Sequence, residues 1–169
     1  MSDALLSKSP PGSAGGPGLL EVDHETATIV FRRRLRHPLQ DVWAAVTDPD
    51  QVAVWFMTTV HREDARGGHL EMDHPNGVRA TGRVLEWRPP RVYAYEWNLA
   101  PGPSVPRGET SIVRWELNPC EEGTELVLTH QKLTRATAEV FVRGLSTFLD
   151  RLSAHLDGTP LPHPPWVPR

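Results

Sequence analysis

The chain has almost no cysteine, no long apolar run and no excess of charge of either sign. Cys120 is the single cysteine in 169 residues, so no internal disulfide can form, which agrees with a reducing compartment. No apolar run approaches the roughly 20 residues that span a bilayer, and the N-terminus lacks a basic segment followed by a hydrophobic one. With a formal net charge of −3, no bulk field would attract nucleic acid or an anionic membrane. We therefore predict a cytoplasmic protein that neither binds nucleic acid nor inserts into a membrane.

The sequence also lacks the motifs of common enzyme chemistry. No G-x-S-x-G elbow, phosphate-binding glycine loop or dinucleotide fingerprint occurs. His69, Glu71 and Asp73 alternate onto one strand face and could in principle hold a metal, but no H-E-x-x-H pattern or cysteine pair accompanies them. A polar outer strand face explains that pattern better. Cys120 lies in an acidic turn that disfavours a thiolate. We predict no metal centre, no cofactor and no catalytic residue.

Proline and glycine are concentrated at the two ends of the chain. Residues 1–19 are predicted to be disordered, because their Pro/Gly/Ser-rich composition leaves almost nothing to bury. Residues 158–169 form a proline-rich tail that cannot be helix or central strand. A lone tryptophan in such a tail, Trp166, more often packs back on its own domain than serves as a recognition peptide. Residues 20–157 are left as one domain of ordinary length.

The segment from residue 37 to residue 56 predicts two short abutting helices. Its sequence is HPLQDVWAAVTDPDQVAVWF. Pro38 suits the first position of the first helix, where its missing N–H costs nothing. Asp48 is a capping residue, and Pro49 suits the first turn of the second helix. The two apolar faces consist of Leu39, Val42, Trp43 and Val46, and of Val52, Trp55 and Phe56.

A strand precedes these helices, a run of alternating segments follows them, and a long helix ends the domain. The alternation predicts six or seven antiparallel strands. The last helix should run from about Thr134, a capping residue, to Asp157, before Gly158. Its apolar stripe must be buried on a curved sheet, which need not be filled by side chains throughout. Gly144 interrupts the stripe at a cost of about 1 kcal/mol relative to Ala, which close approach of a backbone or space for a ligand would explain.

Four segments together carry a resemblance to a known family. They are HPLQDVWAAVTDPDQVAVWF, RGGHLEM, GRVLEWRPPRVYAYEW and GTELVLTHQKL, with Gly82 and the Pro89-Pro90 turn among the motifs. In this order they resemble the Hsp90-ATPase-activator-like (AHSA1-like) branch of the START/SRPBCC superfamily. The resemblance implies an α+β helix-grip fold, in which a curved antiparallel sheet of six to seven strands wraps around a long C-terminal helix, with two short helices after the first strand and an internal pocket. Gly144 is followed by Leu145 rather than by the tryptophan of many relatives, which bears on the shape of the pocket there.

Three functions remain open at this point. The first is a binding protein that holds a small hydrophobic or aromatic molecule between sheet and last helix. The second is a polyketide cyclase-like enzyme using the same cavity, with Arg33, Tyr95 or His130 positioning an enolate. The third is a protein-interaction module, directed at a chaperone by the family resemblance alone. The sequence leaves a homodimer open.

The candidate ligand-binding residues are those expected to converge below the last helix. Aromatic side chains there would line a cavity or simply pack as core. His130 on an apolar strand face is either a polar group of the pocket or a satisfied core histidine. Arg33 also falls on an apolar face, where such proteins often carry an arginine, and it must be paired if it is buried. The full set is Arg33, Trp55, Phe56, Tyr95, Trp97, Trp115, His130, Phe141 and Leu145.

Overall fold

One antiparallel sheet dominates the structure. The computed structural model describes residues 4–7, 18–23, 25–103 and 105–166, and nine strands lie in this part of the chain. They are β1 (Ala4–Ser7), β2 (Gly18–Asp23), β3 (Thr26–Leu35), β4 (Thr59–Arg62), β5 (His69–Asp73), β6 (Arg79–Arg88), β7 (Val92–Leu99), β8 (Glu109–Cys120) and β9 (Gly123–Thr134). Their order across the sheet is β1-β2-β3-β9-β8-β7-β6-β5-β4. The helices are α1 (Leu39–Thr47), α2 (Pro49–Trp55) and α3 (Arg135–Asp157), and a short 3-10 helix spans Pro75–Gly77.

The predicted α+β helix-grip architecture is confirmed, and the sheet extends further at the N-terminus than expected. Strands β3 to β9 are the seven that the alternation predicts. Strands β1 and β2 fall in or across the segment predicted to be disordered, so that prediction is corrected for residues 4–7 and 18–19, whereas residues 8–17 lie outside the described residues. The reason is that β2 pairs with the edge of β3 and buries Leu20, which is 1% exposed and stands opposite Ile29.

The junction between α1 and α2 depends on Trp55. Asp48 caps α2 by accepting from the backbone N–H of Asp50 at 3.0 Å, as predicted, whereas Pro38 is the cap of α1 rather than its first residue. The carbonyl of Ala45 has no helical donor, because the residue four places on is Pro49, which lacks an N–H. The indole Nε1 of Trp55 donates to this carbonyl at 2.7 Å instead.

Strong curvature of the sheet has a local cause at Gly82 in β6. A Cβ at this position would lie 2.1 Å from the carbonyl oxygen of Glu96 in β7, so only glycine permits this approach of the two strands. The register between β6 and β7 also shifts between Val84 and Glu86, and bulges of this kind bend a sheet. The sheet therefore presents a concave face toward α3.

Helix α3 lies on one half of that concave face. Thr134 caps it through the N–H of Thr137, and Gly158 ends it in the left-handed conformation with φ of 70°, both as predicted. The helix contacts β2, β3, β9 and the two short helices. Its apolar stripe divides into a buried row of Val142, Leu149 and Leu152, and a half-buried row of Phe141, Leu145 and Phe148. No helix in the described part of the chain is long and apolar enough to cross a membrane.

Candidate functional site

A cavity of about 500 Å³ opens between the second row of α3 and strands β7, β8 and β9. It lies beyond the half of the sheet that α3 covers directly. Each strand contributes two inward side chains, and the end of α2, the 3-10 helix and the C-terminal tail form the remaining wall. The lining consists of Phe56, His74, Pro75, Val78, Tyr95, Trp97, Val113, Trp115, Leu128, His130, Val140, Phe141, Arg143, Gly144, Leu145, Phe148, Pro165 and Trp166.

Seven of the nine predicted site residues line this cavity: Phe56, Tyr95, Trp97, Trp115, His130, Phe141 and Leu145. Arg33 does not. Its Nη1 donates to the Asp150 carboxylate at 2.8 Å, and its Nη2 lies 3.5 Å from the Ser146 hydroxyl. The prediction fails for Arg33 because β3 runs beneath the buried row of α3, so an inward side chain there meets the helix.

Trp55 is also absent from the cavity lining. It is 1% exposed, and its ring contacts Phe56 with centroids 5.0 Å apart and Trp115 edge-on at 6.2 Å. Because its indole N–H is committed to Ala45, this side chain is fixed inside the core between α1, α2 and the sheet. Its role is structural, so the prediction of a ligand contact is corrected.

Two polar residues of the site were missed from sequence, although strand alternation contained the signal. Alternation in the β8 sequence puts Val113, Trp115 and Leu117 on the same face as Ser111, which lies two residues before Val113 and is fully buried. His69, Glu71 and Asp73 were assigned to an outer face, which leaves His74 on the inner one after Leu70 and Met72. Glu71 and Asp73 indeed face Arg79 at 2.7 and 3.6 Å, and no group of three or more potential metal ligands converges among the described residues.

His74 holds Trp97 in position. The indole Nε1 of Trp97 donates to Nε2 of His74 at 3.0 Å, and Nδ1 of His74 lies 2.9 Å from the Thr58 hydroxyl. That hydroxyl in turn donates to the carbonyl of Phe56 at 3.0 Å. Burial lowers the pKa of His74 to about 4, so the ring is neutral near pH 7 with its proton on Nδ1. Both ring nitrogens are thereby satisfied within the protein.

His130 stands on the floor of the cavity. Its Nε2 lies 2.8 Å from the Ser111 hydroxyl, and the ring meets Trp97 edge-on with centroids 5.2 Å apart and stacks on Phe141 at 6.1 Å. Burial lowers the pKa of His130 to about 3, because an apolar surrounding disfavours the imidazolium ion. The imidazole is therefore uncharged near pH 7.

Tyr95 is the second polar group of the floor. Its hydroxyl oxygen accepts from the indole Nε1 of Trp115 at 3.4 Å, and burial raises the pKa of this phenol, so the hydroxyl keeps its proton. Tyr95 pairs with Val113, which pairs with His130. The two polar side chains thus stand in one row across three strands, with Val113 between them, in a cavity that is otherwise mostly apolar.

The C-terminal tail closes one side of the cavity. The guanidinium of Arg151, which is 6% exposed, donates to the carbonyls of Trp55 at 2.9 Å and Val54 at 3.2 Å, and to that of Pro162. The tail then passes α3, where Trp166 packs on Phe148 with centroids 5.9 Å apart. Arg151 therefore ties the tail to the C-terminal end of α2, and Trp166 packs back on its own domain.

Gly144 faces both the cavity and the tail, and alanine is expected to stabilise the protein at this position. A Cβ there would meet only Pro165, at an ordinary contact distance of 3.8 Å. Because alanine has the higher helix propensity, Gly144→Ala should raise the free energy of unfolding by about 0.5–1 kcal/mol. Urea denaturation of both proteins measures the difference. A loss of stability would show that the contact with the tail is tighter than this geometry allows.

A curved antiparallel sheet that grips a long terminal helix, with two short helices after an early strand and a cavity beneath the helix, defines the helix-grip class of START/SRPBCC proteins. The family described as activator of Hsp90 ATPase homolog 1-like protein matches residues 36–157. The chain belongs to this family. A search of curated proteins finds no match.

Solved structures of similar proteins share the fold. Protein MLL2253 from Mesorhizobium loti is 28% identical with a TM-score of 0.71, over 79% of this chain and 99% of that one. CalU16 from Micromonospora echinospora, in its solution structure, is 25% identical with a TM-score of 0.67, over 98% of this chain and 79% of that one. EF2215 from Enterococcus faecalis, described as a conserved protein of unknown function, is 17% identical with a TM-score of 0.68, over 89% and 82%.

Proposed function

We propose that the protein binds a small, largely hydrophobic molecule in the cavity between strands β7–β9 and helix α3. The observation that carries this proposal is the cavity itself. Its volume of about 500 Å³ falls in the range of about 300–1,000 Å³ that is usual for ligand sites, and such sites combine apolar walls with a few placed polar groups. A core with no ligand to hold would be expected to close around its side chains at crystal-like density.

The aromatic lining supports a ring-containing guest. Trp97 and Phe141 meet edge-on with centroids 5.3 Å apart, as do Phe56 and Phe148 at 4.9 Å. Aromatic rings attract one another in edge-to-face and offset arrangements, so a flat ring inserted between these side chains gains contacts on several sides. Trp97 is also held by His74 through a hydrogen bond, which fixes one wall before any ligand arrives and reduces the entropy cost of binding.

Binding fits the polar groups better than the cyclase-like alternative does. A general base works best with a pKa near the operating pH, whereas burial depresses the pKa of His130 to about 3. Arg33, the third group of that hypothesis, faces Asp150 and not the cavity. His130 and Tyr95 are separated by a strand rather than gathered around one reacting atom. The floor thus offers hydrogen-bonding positions without a poised acid or base.

A protein-interaction role has less support from the described surface. Large hydrophobic side chains that are exposed among the described residues are Val54, Met57, Val140 and Trp166, and two of these, Val140 and Trp166, line the cavity. The chaperone partner, the homodimer and the cytoplasmic location therefore stay predictions from sequence and family resemblance.

The test fills the cavity with a larger side chain on β8, one of the strands that line it. Val113 stands between Tyr95 and His130 and points inward, whereas Ile112 next to it is half-buried on the opposite face of β8. Val113→Phe should weaken binding of the neutral fluorescent probe N-phenyl-1-naphthylamine at least about tenfold, which is about 1.4 kcal/mol. Ile112→Phe, the matched control, should bind the probe like the unaltered protein. Fluorescence titration gives the affinities, and circular dichroism verifies that both variants are folded.

The proposal would be contradicted by two results together. These are failure of the unaltered protein to bind the probe, and repeated absence of a copurifying molecule in native mass spectra of gently purified protein. Equal binding by Val113→Phe and Ile112→Phe would place the probe somewhere other than this cavity.

A further inference from the structure

The hydrogen bonds around His130 fix which ring nitrogen carries the proton. The Ser111 hydroxyl lies 2.9 Å from the carbonyl oxygen of Trp97 and 2.8 Å from Nε2 of His130. A carbonyl oxygen only accepts, so the single hydroxyl proton of Ser111 goes to Trp97. The Ser111 oxygen is then an acceptor for His130, whose proton must be on Nε2 for both contacts to be hydrogen bonds.

This arrangement leaves a lone pair on Nδ1 of His130. In a neutral imidazole with its proton on Nε2, Nδ1 is a hydrogen-bond acceptor. No described residue donates a hydrogen bond to Nδ1. This nitrogen is also not one of the fully enclosed polar atoms that lack a partner, so part of its surface is accessible. Since the His130 side chain is 4% exposed and lines the cavity, the remaining access to Nδ1 is from the cavity. The acceptor is thus held in place by Ser111 and directed at the guest.

Tyr95 supplies the complementary group in the same row. Its oxygen accepts from Trp115, and the proton of the hydroxyl has no acceptor among the described residues. Strands in a sheet lie about 4.8 Å apart, so the backbones at Tyr95 and His130, which are two strand spacings apart, are separated by roughly 10 Å. Both groups are uncharged, and a buried ion without a countercharge would be costly at either position.

We infer that the ligand is an uncharged, ring-containing molecule that donates a hydrogen bond to Nδ1 of His130, as the hydroxyl group of an alcohol or phenol does. This inference rests on the proposed function and names the chemical class of the guest. A site built to pair a hydroxyl group discriminates strongly against an analogue that lacks it, because the polar atom of the protein is then left unpaired. An ether at the same position has no proton to offer and presents a second lone pair to Nδ1.

Three naphthalene probes of similar size separate the possibilities: 2-naphthol, 2-methoxynaphthalene and 2-naphthoate. Isothermal titration near neutral pH should show that the unaltered protein binds 2-naphthol at least about tenfold more tightly than the methyl ether. The naphthoate should bind more weakly than the naphthol, because its charge would be buried opposite a neutral lone pair.

Variants at His130 and Ser111 test whether the preference for the naphthol over its ether arises from Nδ1. His130→Leu removes the acceptor, and the naphthol and its ether should then bind within about twofold of each other. Ser111→Ala removes the partner that holds the proton on Nε2, so the preference should fall while binding of the ether stays unchanged. His61→Leu, at an exposed position on β4, should retain the full preference and serves as the matched control.

The outcomes distinguish this inference from the proposed function. Equal affinity of the unaltered protein for naphthol and ether, with both lost in Val113→Phe, overturns the inference and leaves the proposed function standing. A preference that survives in His130→Leu also overturns it. Binding of N-phenyl-1-naphthylamine but of none of the three naphthalene probes overturns the inference alone, whereas binding of none of the four probes, with no copurifying molecule, overturns both proposals.

Discussion

Acidification from about pH 7.5 to about pH 4.5 should lower the free energy of unfolding by roughly 4–5 kcal/mol through two buried histidines. Burial lowers the pKa of His130 to about 3 and that of His74 to about 4, against an ordinary value near 6.5 in the unfolded chain. Each ring would therefore bind a proton in the unfolded state well before it does so in the folded state. Since domains are stable by only about 5–15 kcal/mol, the loss is large enough to bring the protein near its unfolding transition.

The sign of this pH dependence follows from the number of protons that the folded and unfolded states bind. Between the folded and unfolded pKa values of each histidine the unfolded state holds more protons, so stability rises with pH in that window. The stabilising contribution is fully present above about pH 6.5 and is lost as the pH falls toward 4 and then 3. Hydrogen bonds from His69 and Arg79 lower the pKa of Glu71, and one from Arg114 lowers that of Glu86. These carboxylates also lower the free energy of unfolding on acidification, but only below about pH 4.5. The change between the two chosen pH values therefore reports on the histidines.

Urea denaturation at a series of pH values measures this dependence, and single variants divide it. His130→Gln and His74→Gln should each remove about 2–3 kcal/mol of the change between the two pH values, whatever their effect on stability at neutral pH. His61→Gln, at an exposed position, should leave the curve as steep as before. A flat curve for the unaltered protein would mean that water reaches both rings and that the cavity floor is more polar than its contacts suggest.

The fold was predictable because its signals are local and repeated. Strand alternation gave the seven strands from β3 to β9, and Asp48, Thr134 and Gly158 marked helix ends through their capping chemistry. Strand β2 was missed because composition across the N-terminal segment outweighed a short apolar run at its end. Leu20 is buried only because β3 offers an edge for pairing, and that edge is a property of the assembled sheet rather than of residues 18–23.

The residues of the site were predictable where strand alternation alone determines which way a side chain points. Tyr95, Trp97, Trp115 and His130 follow from alternation alone, whereas Arg33 obeys the same alternation and still misses the cavity. The difference arises from the position of α3, which covers β3 and leaves β7 and β8 open to the cavity. No single-strand pattern encodes where a helix crosses a sheet, so the division between core and cavity required the tertiary structure.

Replacing Trp55 is expected to have the largest effect of any single substitution considered in this protein. Its side chain is 1% exposed and joins α1, α2 and the sheet. Trp55→Ala removes the buried ring and should lower the free energy of unfolding by about 3–5 kcal/mol, as for other large aromatic residues in cores. Trp166→Phe, at a residue that is 43% exposed, should change stability by less than about 0.5 kcal/mol and is the control in the same denaturation experiment.

Trp55→Phe separates the packing of the ring from its hydrogen bond. Phenylalanine keeps most of the apolar contact but cannot donate to the Ala45 carbonyl, which Pro49 has already deprived of a helical partner. Ala45 is fully buried, so no water replaces the lost donor, and the expected cost is about 1–3 kcal/mol. If Trp55→Phe were as stable as the unaltered protein, the indole N–H would not be what completes the end of α1, and the link between the Asp48-Pro49 turn and this tryptophan would have to be packing alone.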